Sequence, residues 1–159
     1  MSLGERRRRG VMIDTSSNLT IIGKACLYAF AGELAQRMES NSLAIEYLKK
    51  GNEYAYQAVK ENPTAQAKNF LIGTLADLGV VFFKENDFTN SFDSYNAAIT
   101  NYESKKFSTD LLIDKTKLLS IYSTAVLAAF RSGKTNEALA FGNKANENLG
   151  KINNSKNAP

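Results

Sequence analysis

The chain has no histidine, one cysteine and two prolines among its 159 residues. Without histidine, the side chain that most often serves as general base and metal ligand is missing, and triads built on it are excluded. The lone Cys26 has no partner for an internal disulfide or a paired-cysteine metal site. It reads as a small packing residue, compatible with a reducing compartment. No Gly-rich phosphate loop occurs, and no spacing marks a Ser–Lys or carboxylate-pair site. The acidic residues Glu39, Glu46, Asp77, Asp87, Asp93 and Asp110 suit caps, turns and solvated helix faces. A non-catalytic protein with no cofactor and no metal is the expectation.

Long apolar runs are also missing. Ile21 to Ala35 carries Lys24 and Glu33 and is too short and too charged to span a bilayer. Val11 to Ile13 is too short for the apolar core of a signal peptide. The expected location is cytoplasmic. Scarce proline, abundant Ala, Leu, Lys, Glu and Asn, and no alternating apolar pattern of strand type all favour helix. With 43% hydrophobic and 23% charged residues the composition is that of an ordinary globular domain, and an all-α fold is expected.

The formal charge of +4 is unevenly placed. Once Arg6, Arg7, Arg8 and Arg9 are set aside, 16 basic residues balance 16 acidic ones, so the body is neutral. Residues 1–15 read as a basic leader, disordered or vector-derived. The alternative is an arm that binds nucleic acid or an anionic surface, but a neutral body makes nucleic acid the less expected partner.

What the chain does have is a repeat. Tyr28, Leu75 and Tyr122 fall in register at a spacing of 47 residues, as do Ala31, Leu78 and Ala125, then Ala44, Ser91 and Ala138, then Ile45, Phe92 and Leu139. A period of this size marks stacked supersecondary units, each needing its neighbours to bury an apolar face. Helix-start signals recur at Ser16-Ser17, Asn62-Pro63 and Ser108-Thr109-Asp110. Turn signals recur at Glu39-Ser40-Asn41, Glu85-Asn86-Asp87 and Ser132-Gly133-Lys134. They divide 16–150 into three antiparallel helical hairpins, with helices over 17–38, 41–60, 63–85, 88–105, 109–131 and 135–149, and a polar tail over 151–159 that is expected to fray.

In the middle hairpin, Leu75, Leu78-Gly79, Phe82, Asn86-Asp87-Phe88, Ser91-Phe92, Tyr95 and Ala98-Ile99 resemble the tetratricopeptide repeat. Small residues at Gly79, Ser91 and Ala98 allow two helices to approach while the larger ones fill the seam. The outer hairpins are similar at Tyr28, Ala31-Gly32, Ala44-Ile45, Leu48 and Gly51, and at Tyr122, Ala125, Gly133, Ala138-Leu139 and Ala145. Val126 stands in place of the helix glycine, Gly142 in place of an aromatic, and the closing proline is missing. The unit exceeds the family's length of about 34 residues, and longer first helices resembling the extended repeats of kinesin light chains and bacterial peptide-pheromone receptors account for the excess.

The resemblance implies an α-α superhelix, a TPR-like solenoid whose first helices line a concave face that holds a protein or peptide. Matched positions on that face are Phe30, Asp77 and Thr124, then Glu33, Val80 and Leu127, then Gln36, Phe83 and Phe130. Family members that clamp acidic chaperone tails need Lys, Asn and Arg where this chain has Cys26, Ala29, Gly73, Ala76 and Ser120, which argues against that ligand. Val80, Phe83, Leu127 and Phe130 either pack repeat against repeat or line an apolar groove for a helix or extended peptide. Together with Phe30 and Asp77 they are the candidate partner-binding residues. Arg37, Lys84 and Arg131 form a basic ladder at the same spacing, either an anion rail or, more simply, cations complementing helix C-termini. Ala138, Leu139, Phe141, Ala145 and Leu149 make an apolar stripe on the last hairpin, a candidate surface for self-association.

Overall fold

The structure is a computed structural model and describes residues 20–104 and 115–156. Six α-helices lie among them: α1 (Ile21–Arg37), α2 (Asn41–Glu61), α3 (Ala65–Lys84), α4 (Phe88–Glu103), α5 (Lys115–Arg131) and α6 (Thr135–Lys156). The expected leader, with Arg6 to Arg9, and the signals at Ser16-Ser17 and Ser108-Thr109-Asp110 lie outside the described residues.

Helix starts follow cap chemistry rather than the nearest polar pair. Thr20 Oγ1 accepts from Gly23 N at 3.1 Å and Thr64 Oγ1 from Ala67 N at 3.2 Å. Each satisfies one of the unpaired amides of a first turn. Pro63 therefore precedes the cap instead of opening the helix. Asp87 does the same for α4, accepting from Asn90 N at 3.1 Å. At the other end α6 continues through Lys156, beyond the expected end at residue 149.

The three hairpin turns are one conformation repeated. Glu39, Asn86 and Gly133, each 47 residues apart, have φ of 56°, 60° and 79°. Across each turn an amide reaches back five residues: Ser40 N to Ala35 O at 2.9 Å, Asp87 N to Phe82 O at 2.9 Å and Lys134 N to Ala129 O at 2.8 Å. Such left-handed closures satisfy the carbonyls that a helix end leaves open. Arg37, Lys84 and Arg131 all sit in the last turn before these closures.

Packing inside the hairpins explains the two departures in the third repeat. A Cβ on Gly32 would lie 2.6 Å from Leu48 Cγ, and one on Gly79 would lie 2.7 Å from the Tyr95 ring. The first helix is small where the second is large. In the third hairpin the same two positions hold Val126 and Gly142, and a Cβ on Gly142 would meet Val126 Cγ2 at 4.0 Å. Small and large have changed sides, and the fit is looser at Gly142 than at Gly32 or Gly79.

The apolar clusters cross hairpin boundaries. One joins Tyr28, Ala44 and Leu48 of the first hairpin to Leu78, Val81 and Phe82 of the second. Another joins Ile72, Phe92, Tyr95 and Ile99 to Leu118, Tyr122, Ala125 and Phe141. Polar links follow the same joints: Asn52 Nδ2 donates to Thr74 Oγ1 at 3.1 Å, Asn41 Nδ2 to Glu85 Oε1 at 2.6 Å, and Tyr122 Oη to Glu103 Oε1 at 2.6 Å. Apart from chain neighbours, the helices whose backbones approach closely among the described residues are α1 with α3 and α3 with α5; the second helices α4 and α6 meet through side chains, Phe92 with Phe141 and Glu103 with Lys144. First helices therefore form the inner, more crowded side of an α-α superhelical stack of three hairpins.

Candidate binding cleft on the face of the first helices

On that inner side lies a cleft of about 460 Å³. Helix α1 supplies Ala29, Phe30 and Glu33, α3 supplies Gln66, Asn69, Phe70, Gly73, Thr74 and Asp77, and α5 supplies Lys117. Its size falls within the range typical of ligand sites. Small residues create the space: a Cβ on Gly73 would meet nothing within 4 Å, and Ala29 extends no further than its methyl group. Phe30 is 62% exposed, an uncommon state for phenylalanine.

Of the charged residues lining the cleft, Asp77 is partly buried while Glu33 and Lys117 are exposed. Burial raises the Asp77 carboxyl above the usual range; Lys117 opposes that shift and Glu33 adds to it. Thr74 is committed elsewhere, its hydroxyl donating into the carbonyls of Phe70 (2.9 Å) or Leu71 (3.1 Å) and accepting from Asn52. Asn69 Oδ1 is buried with no hydrogen-bond partner among the described residues. Beneath the cleft, the Tyr95 hydroxyl lies toward Thr124 and Asp77 without meeting hydrogen-bond geometry, and burial pushes its pKa up to about 12. Glu33 Oε1 pairs with Arg37 at 2.6 Å on the exposed surface.

Of the six candidate binding residues, Phe30 and Asp77 share this cleft. Val80 and Phe83 are partly buried against the core joining the second and third hairpins, and the Phe83 ring meets Phe88 edge-on at 5.2 Å. Neither Val80 nor Phe83 lines the cleft. Leu127 and Phe130 are exposed on α5, Phe130 at 64%, but do not line the cleft. The basic ladder is likewise divided: Arg37 pairs with Glu33, and Arg131 lies over the Phe88 ring at 5.6 Å. In the last hairpin Ala138 and Phe141 turn inward, Phe141 against Phe92 and Tyr122, which leaves Leu139 and Leu149 exposed.

Sequence reasoning did not single out Asn69, Phe70 or Lys117 as site residues. Their signal was faint: Ala29 and Gly73, small residues facing the same side, mark where the first helices leave room. Among the described residues, no group of three or more His, Cys, Asp or Glu could hold a metal ion. No helix there is long and apolar enough to cross a membrane.

No protein-family model matches the chain, and no curated protein sequence matches it. Its fold is similar to that in the crystal structure of BtubC (BKLC) from P. vanneervenii, with a TM-score of 0.65 at 12% identity, over 81% of this chain and 48% of that one. The likeness is one of fold, and this chain spans about half the length of that protein.

Proposed function

We propose that the chain is a tetratricopeptide-like, non-catalytic module of the cytoplasm that binds a peptide or protein segment along the face of its first helices. The observation that carries this reading is the cleft between α1, α3 and α5, with exposed Phe30 at its edge and a desolvated Asp77 within it. The repeated turns and the repeated small-and-large seam support the family resemblance, because both recur at the spacing of the motif. A stack of this kind offers an extended surface made by several repeats at once.

Selection from a library of random seven-residue peptides tests the proposal, with the full chain and its Gly73→Leu variant as parallel baits. A Cβ on Gly73 would meet nothing within 4 Å, so a leucine there projects into the cleft. Peptides enriched on the native chain should bind the variant at least about tenfold more weakly, while its melting temperature is held or raised. Equal enrichment on both baits, or on neither, removes the cleft as the binding site.

A further inference from the structure

The cleft's lining is asymmetric in charge: two carboxylates, Glu33 and Asp77, face one ammonium, Lys117. Glu33 is at the exposed rim and already shares its charge with Arg37 at 2.6 Å. Asp77 lies deeper and is more thoroughly removed from water. A carboxylate in that position is unfavourable unless a cation completes its pairing, and Lys117, whose side chain is exposed, supplies only part of that. Phe30 and Phe70 provide apolar walls for an aliphatic stem. Long basic side chains bring both parts together, an apolar stem and a charged head with several donors.

Building on the peptide-binding reading, we infer that the cleft selects a peptide carrying a lysine or arginine side chain, whose head group meets Asp77 while its stem lies between Phe30 and Phe70. An acidic side chain would face two carboxylates there. A purely apolar one would add nothing to the partial compensation of Asp77 by Lys117.

The probes are the seven-residue peptides enriched on the full chain in the selection above, titrated into it at low salt. Because Arg6 to Arg9 precede α1 in the sequence, selection is also run on a variant with serine at these four positions, and enrichment on either bait counts. The expected result is a basic position common to the enriched peptides. Replacing that residue by citrulline or norleucine should weaken binding at least about tenfold, and the nearly isosteric Asp77→Asn variant should reduce the difference to under about twofold. Binding to the native chain should also weaken on acidification as Asp77 protonates, at a pH above that of an ordinary carboxylate. Burial chiefly sets this pH, opposed by Lys117 on α5 and reinforced by Glu33 on α1; the Tyr95 phenol on α4 also faces Asp77 but is neutral there. Enriched peptides without a common basic residue, or a preference that survives Asp77→Asn, would overturn the inference and leave the peptide-binding reading standing. Failure to enrich any peptide on either bait would remove both.

Discussion

At the scale of single residues, the third hairpin shows that the seam is specified by pairs and not by positions. Val126 and Gly142 each depart from the pattern, yet together they keep one small residue opposite a larger one, as Gly32 faces Leu48 and Gly79 faces Tyr95, with more room at Gly142. Gly142→Tyr should therefore overpack the seam and destabilise the chain by roughly 1–3 kcal/mol, whereas Val126→Gly combined with Gly142→Tyr should lose less than the two single changes added. A double-mutant cycle by urea denaturation would measure the coupling, and strict additivity would mean the two residues do not compensate each other. A second residue-scale effect concerns alkali. Burial pushes the Tyr95 phenol up to about 12, while burial and its bond to Glu103 raise that of Tyr122 further. In the unfolded chain tyrosine ionises near 10. Both phenols are neutral in either state below that pH, so their contribution to stability is fully present there and is lost as pH rises toward the folded values. The loss is up to about 1.4 kcal/mol per pH unit for each group. Denaturation at pH 7 and pH 11 should show the decline, and Tyr95→Phe should shrink it without loss at pH 7, because the deleted hydroxyl lacks a hydrogen bond. For Asp77 the same linkage gives greater stability at acid pH and a loss as pH rises through its raised value.

At the scale of elements, the turns impose one requirement on three different residues. Left-handed backbone is natural for glycine and unfavourable for a side chain by roughly 1–2 kcal/mol, so Gly133 suits its turn and Glu39 carries a local strain. Gly133→Ala should lower the unfolding free energy by about 1 kcal/mol, and Glu39→Gly should raise it by up to about 1 kcal/mol, both read from thermal or chemical melts. A stabilising Gly133→Ala would contradict the positive φ. Turn locations were legible in the sequence because short polar residues and glycine recur at Ser40-Asn41, Asn86-Asp87 and Gly133. The all-helical class and the three hairpins were legible too, since both follow from periodicity. Helix starts were less so: Ser, Thr, Asn and Pro crowd the joints, and only backbone geometry decides that Thr20 and Thr64 are the caps. The cleft was legible in part. Phe30 and Asp77 follow from register, but register assigns Val80 and Phe83 to the same face as Phe30 without saying that the next hairpin covers them. Neither does it show that Lys117 on α5 lines the same cleft as Asn69 and Phe70, neighbours on α3.

At the scale of the whole molecule, no hairpin keeps its core to itself. The cluster holding Tyr28 and Leu48 is completed by Val81 and Phe82, and the one holding Phe92 and Tyr95 by Tyr122 and Phe141. Stability then consists of hairpin terms plus nearest-neighbour joints, as in a one-dimensional array. Helix α3 is in contact with α1, α2, α4 and α5, more neighbours than any other helix among the described residues. Its central amides, from Ile72 to Val81, should exchange with solvent only through global unfolding, while α1 and α6 open at lower free energy. The joint between the second and third hairpins offers the sharper measurement. Phe92 on α4 packs against Phe141 on α6, and its ring also lies beneath Lys134 at 4.3 Å. Truncating it by Phe92→Ala should remove roughly 3–5 kcal/mol, and in a nearest-neighbour stack the loss falls mainly on the side that has only this joint. Native-state hydrogen exchange on that variant should therefore show protection dropping more in α5 and α6 than in α1 and α2. An equal drop in all helices would mean a single indivisible core, and the description as coupled repeats, with a binding face shared among them, would fail with it.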